Sequence, residues 1–169
     1  SNVLLDDRGF EGLVISTQKL EKRLAPMGQG PNGGERLAVG ASVQVIQLLR
    51  HCMTRGIAGF ELLVGIPGNI GGVIAMNAGT KLGEIEARVS EATLYDLATK
   101  AERTVLRADM NFSWRANHFV KSHELIVHAV LEGIPGDPKK VQDDVTALLT
   151  ARKKSQPIDK PSCGSVFKN

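Results

Sequence analysis

The stretch Gly65-Ile66-Pro67-Gly68-Asn69-Ile70-Gly71-Gly72 decides how the rest of this sequence is interpreted. It lies in the densest glycine region of the chain, because residues 56–83 hold eight of the 18 glycines. Glycine lets the backbone approach a ligand without side-chain obstruction, and Pro67 fixes one backbone angle. The residues that follow predict a helix start, and glycines before a helix are typical of a phosphate or pyrophosphate nest. Tight turns in which backbone packs on backbone are the alternative.

The glycine stretch matches neither of the common nucleotide-binding motifs. It is not GxGxxG after a strand, and it is not the GxxxxGK[ST] loop. Taken alone, it therefore leaves the choice between a phosphate nest and tight turns open.

Composition limits the classes of protein and of partner. The chain has 169 residues, 42% hydrophobic and 23% charged, as expected of one folded domain. Lys and Arg exceed Asp and Glu by three, a mild excess that favours a small anion. With 4% aromatic residues and no basic stripe, we expect no nucleic-acid partner. No apolar run or leader predicts a membrane segment or secretion.

The metal-ligating residue types do not form a recognisable site. Cys52 and Cys163 make no CxxC pair, and the four histidines are scattered. We expect reduced thiols in a cytosolic protein and no metal.

Mixed strand and helix patterns predict an α+β fold. A helix is expected from an N-cap at Ser42 to Arg55, ended by Gly56. A second helix is expected to begin at Asp137-Pro138. The first helix should bury Val45, Ile46, Leu49, Cys52 and Met53, and the second Val141, Val145, Leu148 and Leu149. Strands are predicted at 10–16, 36–42, 86–97, 102–106 and 124–133, a turn at 98–100, and an exposed hairpin or loop at 24–34.

Three further groups of residues invite a chemical interpretation. Trp114-Arg115 is either a cation–π or packing feature or part of a site. Ser165, in the C-terminal PSCGSVFKN, lacks an obvious His/Asp partner for a hydrolase but suits a proton donor in a polar loop. The basic residues at the end of the second helix either complement its dipole or attract phosphate. These residues are Arg152, Lys153 and Lys154.

Four segments in order resemble the UDP-N-acetylenolpyruvoylglucosamine reductase (MurB) family of peptidoglycan synthesis. They are SNVLLDDRGFEGLVI at the start, GFELLVGIPGNIGGVIAMNAG, SWRANHF and QPIDKPSCGSVFKN. The resemblance spans essentially the whole chain. It implies the FAD-binding fold of the vanillyl-alcohol oxidase (PCMH) type, with residues 1–135 as FAD-binding subdomain. Residues 136–169 would then form a connecting helix and the start of a substrate-binding domain.

The resemblance also implies the cofactors and the residues that line them. FAD and NADPH are expected as cofactors, with a UDP-sugar enolpyruvyl ether as substrate and no obligatory protein partner. Ile126 would pack near the adenine. The FAD-lining residues would be Ser1, Asn2, Val3, Leu4, Gly65, Ile66, Pro67, Gly68, Asn69, Ile70, Gly71, Gly72, Asn77, Ala78 and Gly79.

The implied reaction is reduction of the enolpyruvyl ether in the bacterial cytoplasm. Arg115 matches the arginine that holds charge developing on the substrate carboxylate, a task suited to a bidentate guanidinium. Ser165 matches the serine that delivers a proton. Asn169 matches an asparagine that contacts the UDP portion, and Lys168 lies beside it.

Some positions depart from the family pattern. Trp114 replaces a usual Tyr, Asn117 a Ser, Cys163 an Ala, and Ser155 a frequent lysine, whose substrate role is not carried over. Thr80-Lys81-Leu82 replaces a frequent AYG.

The family also implies further chain on both sides, including a late catalytic glutamate. Residues 1–169 alone should then bind FAD weakly and turn over little or nothing. A different flavin oxidoreductase of the same fold and a non-catalytic flavin- or nucleotide-binding fragment are the alternatives.

Overall fold

The computed structural model of the chain describes residues 5–31 and 33–156. It is an α+β structure, which confirms the predicted fold class. In chain order its elements are β1 Leu24–Gln29, β2 Glu35–Gly40, α1 Val45–Arg55, β3 Ile57–Ala58, α2 Ile70–Ala75, β4 Gly79–Thr80, β5 Gly83–Glu84, β6 Val89–Asp96, β7 Glu102–Leu106, β8 Phe112–Ser113, β9 Ala116–Asn117, β10 Glu124–Glu132, β11 Ile134–Pro135 and α3 Pro138–Ser155.

One antiparallel sheet organises these elements. Its strand order is β1-β2-β10-β6-β7, and α2 packs against both β2 and β10. Strand residues alternate between the two faces of a sheet, so a single set of apolar side chains meets the helices. Leu37 and Val39 of β2, Leu94 of β6 and Leu131 of β10 are almost fully buried in this core. The sheet thereby fixes the position of α2, which follows the glycine stretch.

The helices largely follow their predicted boundaries. Helix α1 ends at Gly56, which adopts the left-handed conformation at φ 68°. Asp137 caps α3 by accepting a hydrogen bond from the Lys140 N–H at 2.8 Å, and Pro138 is its first residue. The predicted domain boundary after residue 135 stays a prediction. Helix α3, which follows that position, packs against α1.

The N-cap and one buried position of α1 were predicted wrongly. Gln44 is the N-cap, and its N–H bonds the Gln47 side chain at 3.0 Å. The Ser42 hydroxyl instead donates to the backbone carbonyls of residues 20 and 21. Ile46 is 43% exposed, whereas Leu48 is buried. The buried positions 45, 48, 49 and 52 follow the helical period, which leaves Ile46 at the edge of the buried face.

The predicted strand at 10–16 is wrong. These residues belong to no helix or strand, and Phe10, Leu13 and Val14 are between 62% and 83% exposed. A short run of apolar and β-branched residues forms a strand only where a neighbouring strand pairs with it, and none of the described strands does so.

The glycine- and proline-rich segment at 24–34 forms a hairpin whose first arm is a strand. Strand β1 lies at the edge of the sheet and pairs with β2, with an irregular register between Pro26 and Gln29. Proline has no N–H for a central strand, but an edge strand tolerates it. Gly28 supplies the positive φ of 89° at this irregularity.

The other four strands of the five-stranded sheet are close to expectation, whereas the two-residue strands β3, β4, β5, β8, β9 and β11 were not predicted. Strand β7 has the predicted bounds, β10 begins where expected and ends one residue earlier, and β6 is shorter than predicted at both ends. Strand β2 lies within one to two residues of its predicted bounds. The turn between β6 and β7 includes Lys100 at φ 59°.

Candidate functional site

The glycine stretch forms a bend that leads into α2. Gly65 and Gly68 have φ angles of 76° and 122°, which favour glycine. Two of the N–H groups at the start of α2 are used internally. Ile70 N–H donates to the Val43 carbonyl and Gly71 N–H to the Ala41 carbonyl, both at 2.9 Å. Tight backbone packing therefore explains part of the stretch.

Two adjacent glycines of α2 face different surroundings. A Cβ on Gly71 would lie 2.9 Å from the Ala41 Cβ, so this glycine permits close packing of α2 on the chain after β2. A Cβ on Gly72 would meet nothing within 4 Å, and Gly72 is exposed. The outer face of α2 at Gly72 thus leaves backbone open to a ligand.

A groove of about 690 Å³ lies beside the glycine stretch. Residues from the stretch, from the start of α1 and from the segment before β1 line it. None of the described lining residues is acidic, and two are lysines. The lining residues are Gln18, Lys19, Lys22, Ser42, Gln44, Val45, Ile46, Ile66, Pro67, Gly68 and Asn69.

Asn77 ties the turn after α2 together. It is fully buried and adopts a left-handed φ of 41°, a conformation that asparagine tolerates better than most residues. Its Nδ2 donates to Glu84 Oε2 at 2.8 Å and to the Ser113 carbonyl at 3.1 Å. Its Oδ1 accepts the Glu86 N–H at 3.2 Å. The Asn77 side chain therefore holds the Asn77–Gly79 turn in place, and its polar atoms form hydrogen bonds within the protein.

Arg115 meets this turn from a separate hairpin. It lies in the two-residue connection between β8 and β9, at a positive φ of 56°. Its guanidinium donates to the carbonyls of Asn77 at 3.3 Å and Gly79 at 3.0 Å. The structure therefore brings together Arg115 and the Asn77–Gly79 turn, both of which the family resemblance assigns to the site.

The surroundings of the guanidinium are partly polar and partly aromatic. Glu84 Oε1 lies 3.6 Å from Arg115 Nη1, and the Trp114 ring centroid lies 5.6 Å from its Cζ. The cation–π contact expected for Trp114-Arg115 is thus present. The Arg115 side chain stays 35% exposed, so its remaining N–H groups can reach a ligand.

Asn117 fixes the β8–β9 hairpin to α2. Its Nδ2 donates to the Ala75 carbonyl at 2.7 Å, and its Oδ1 accepts the Val120 N–H at 3.0 Å. This residue departs from the family pattern, and the structure gives the departure a positioning role. Arg115 and α2 are consequently held in one local unit.

Other predicted site residues are placed differently or not described. Ile126 on β10 is 7% exposed and belongs to the hydrophobic core. Its predicted contact with the adenine stays a prediction. Ser1, Asn2, Val3, Leu4, Ser165, Lys168 and Asn169 lie outside the described residues, and so does Cys163.

Sequence reasoning missed the contact that Arg152 makes with the glycine stretch. Its Nη1 donates to the Val64 carbonyl at 3.3 Å, and a Cβ on Gly65 would lie 2.4 Å from its Cδ. The sequence shows only that the end of α3 is basic. Only the packing of α3 brings one of those charges to the loop.

A second polar cluster lies at the far end of the sheet and is an ion-pair network. Arg103 on β7 reaches across β6 and donates to both carboxylate oxygens of Glu124, at 2.6 and 2.8 Å. Mainly because of this bond, the pKa of Glu124 falls from 4.5 to about 2. Asp96 and His123 lie within 4.8 Å of it, but the Glu124 oxygens already accept from Arg103 and from the Lys121 N–H. The hydrogen bonds and the ion pair of this cluster therefore stabilise the fold.

Comparison with known proteins identifies the kind of domain. Residues 1–104 match the family model described as an FAD binding domain. The UDP-N-acetylenolpyruvoylglucosamine reductases of Alkalilimnicola ehrlichii and Phenylobacterium zucineum are 39% and 36% identical to this chain over its whole length. The chain covers 54% and 55% of those proteins, so it spans about half the length of the curated relatives it matches.

Solved structures share the fold. The reductase MurB of Thermus caldophilus matches with a TM-score of 0.70 and 26% identity, over 78% of this chain and 48% of that one. A solvent-stable cholesterol oxidase matches with a TM-score of 0.53 and 22% identity, over 72% of this chain and 25% of that one. The second match shows the fold alone. No helix within residues 5–31 and 33–156 has the length and apolar character needed to cross a membrane.

The matched model covers residues 1–104, more than half of the 169 residues, so the chain belongs to the family of FAD binding domains.

Proposed function

We propose that this chain holds FAD beside residues 65–79 and serves an NADPH-dependent reduction of UDP-N-acetylglucosamine enolpyruvate to UDP-N-acetylmuramate. The observation that carries the proposal is the position of Arg115, whose guanidinium is held on the Asn77 and Gly79 carbonyls. The whole-length likeness to named reductases supports the choice of substrate. The bacterial cytoplasm is the proposed location.

The residues present fit an FAD molecule. A side-chain-free surface at Gly72, and a groove of about 690 Å³ lined by residues 66–69 and by no described carboxylate, suit an elongated dianion. The chemistry that bound FAD supplies is transfer of a hydride, received from NADPH, to the enolpyruvyl double bond.

The proposed task of Arg115 is to stabilise the negative charge that develops on the substrate. Reduction of an enolpyruvyl group builds negative charge toward its carboxylate, and a guanidinium fixed by two carbonyls is already oriented to receive it. A positive φ in a non-glycine residue costs about 1–3 kcal/mol and persists where the surroundings impose it. Arg115 at φ 56° has this signature of a functional residue.

Ser165, Lys168 and Asn169 complete the proposal. The Ser165 hydroxyl would give a proton to the carbon next to the hydride acceptor, which balances the addition across the double bond. Asn169 would contact the UDP portion, and Lys168 beside it would bind the substrate.

The test is steady-state kinetics on the protein as its gene encodes it, with Arg115→Lys and Ser165→Ala. Lysine keeps the charge of Arg115 but not the bidentate geometry, so kcat should fall about 100-fold or more. Ser165→Ala should lower kcat as strongly. Arg107→Lys is the matched control, because Arg107 lies nearby over the Phe112 ring and is given no role in the reaction. Turnover unchanged in the Arg115 and Ser165 variants would refute the assigned roles.

A further inference from the structure

The segment that carries Lys19 and Lys22 is clamped against the glycine stretch by buried contacts. The Ser42 hydroxyl, in a residue only 2% exposed, donates to the carbonyls of Leu20 at 3.0 Å and Glu21 at 3.2 Å. Next to it, the Gly40 N–H donates to the Arg23 carbonyl at 2.8 Å. The residues between and beside these anchors therefore form a fixed wall of the groove.

The packing at Gly40 shows how closely this wall lies against the end of β2. A Cβ on Gly40 would lie 2.2 Å from the Glu21 carbonyl oxygen, so only glycine allows the approach. The wall is thus held by backbone and hydroxyl contacts that leave its long side chains to face outward. Lys19 and Lys22 both line the groove.

The charged side chains that line the groove are all positive. Within the described parts of the chain, Lys19 and Lys22 form no ion pair, and no described acidic side chain lines the groove. Glu21 lies between the two lysines in sequence, but its side chain is not part of the lining. Two unneutralised ammonium groups in a groove raise the local concentration of anions.

The part of the glycine stretch that lines the same groove carries no charge. The stretch contains no ionisable side chain, and the N–H groups of Ile70 and Gly71 already donate to the Val43 and Ala41 carbonyls. The charge of a diphosphate placed there would need to be balanced by other residues that line the groove.

We propose that Lys19 and Lys22, positioned by Ser42, are the charge partners of an organic diphosphate lying in the groove against residues 66–69. This inference rests on the proposed binding of FAD and names the residues that neutralise its diphosphate. The lysines are positioning residues for the cofactor and take no part in the reduction.

The test compares FAD with riboflavin, which has the same ring and no phosphate, by titration of flavin fluorescence on the full chain. Lys19→Gln/Lys22→Gln should weaken FAD binding about tenfold at low salt, and Lys19→Glu/Lys22→Glu should weaken it further. Riboflavin affinity should not change in either variant. Raising the salt concentration should weaken FAD binding to the unaltered chain more than to Lys19→Gln/Lys22→Gln.

Lys100→Gln/Lys139→Gln is the matched control. It removes the same amount of charge from two exposed lysines, in the β6–β7 turn and the first turn of α3. It should bind FAD as the unaltered chain does. An equal loss in this control would mean that net charge alone is responsible, and would overturn the proposal.

Ser42→Ala provides a second, independent arm. Loss of the two hydroxyl contacts should loosen the wall and weaken FAD binding without changing the affinity for riboflavin.

If FAD binds the lysine variants as tightly as the unaltered chain, the lysine proposal fails while FAD binding stands. If the unaltered chain binds neither flavin, the proposed function itself fails.

Discussion

At the scale of single residues, Arg115 combines a strained backbone with an exposed, oriented charge. Sequence inspection singled it out beside Trp114, but its positive φ and its bonds to the Asn77 and Gly79 carbonyls are products of tertiary structure. Local propensity does not predict a left-handed arginine, because that conformation disfavours side chains with a Cβ. The structure thus adds a strained backbone to the observations that support the proposed role of Arg115.

Replacement of Arg115 should separate stability from activity. Arg115→Ala keeps the strain of φ 56° and loses the guanidinium bonds, whereas Arg115→Gly loses the same bonds but relieves the strain. We expect Arg115→Gly to be about 1 kcal/mol more stable than Arg115→Ala, about 2–4 °C in melting temperature. Both variants should lose reductase turnover in the protein as its gene encodes it. Thermal unfolding measures the first effect, and equal melting temperatures would argue against strain at this position.

At the scale of secondary-structure elements, α2 presents one glycine to the core and the next to the open surface. Gly71 packs on Ala41, while the surroundings of Gly72 are empty to 4 Å. The sequence shows only two adjacent glycines. Tight backbone packing explains Gly71, and the open surroundings of Gly72 leave room for the proposed ligand. No local pattern assigns them, since the assignment depends on where β2 ends and α2 begins.

The two glycines should respond oppositely to alanine. Gly71→Ala forces α2 away from Ala41 and should lower the free energy of unfolding by about 1–3 kcal/mol. Gly72→Ala adds a helix-favouring residue in open space and should raise it by about 0.5–1 kcal/mol. The proposed flavin contact predicts that Gly72→Ala weakens FAD binding despite this gain. Urea unfolding and FAD titration check both statements, and destabilisation by Gly72→Ala would contradict this division of roles.

The strand β10 begins at an ion pair that makes the fold sensitive to acid. Arg103 holds the pKa of Glu124 at about 2, below its ordinary 4.5. A carboxylate with a lowered folded-state pKa stabilises the protein above pH 4.5, and this contribution is lost as the pH falls from 4.5 to 2. Because Arg103 is 42% exposed, we expect a contribution of about 1–2 kcal/mol.

Unfolding by urea at a series of pH values tests the contribution of Glu124. Glu124→Gln should lower stability at pH 7 and flatten its dependence between pH 4.5 and pH 2. Glu102→Gln, on the exposed side of β7, is the matched control and should leave the curve unchanged. An unaltered acid profile in Glu124→Gln would show that the pair does not stabilise the fold.

At the scale of the whole molecule, the longer elements were predictable and their assembly was not. Helix periodicity and capping residues predicted α1 and α3, and runs of apolar and β-branched residues predicted β7 and β10. A similar run at residues 10–16 forms no strand, because a strand needs a partner as well as a pattern. The contact between Arg152 and the glycine stretch joins residues 88 positions apart, so no local signal predicts it.

The central claim is that the glycine stretch, the turn after α2 and Arg115 form one FAD site. The most direct test is a titration of the isotope-labelled chain with FAD, followed by backbone amide resonances. The amides of residues 65–72, the Asn77–Gly79 turn and Arg115 should shift together and saturate at one FAD per chain. Shifts confined to β7 or α3, or no shift at all, would contradict the assignment of this site.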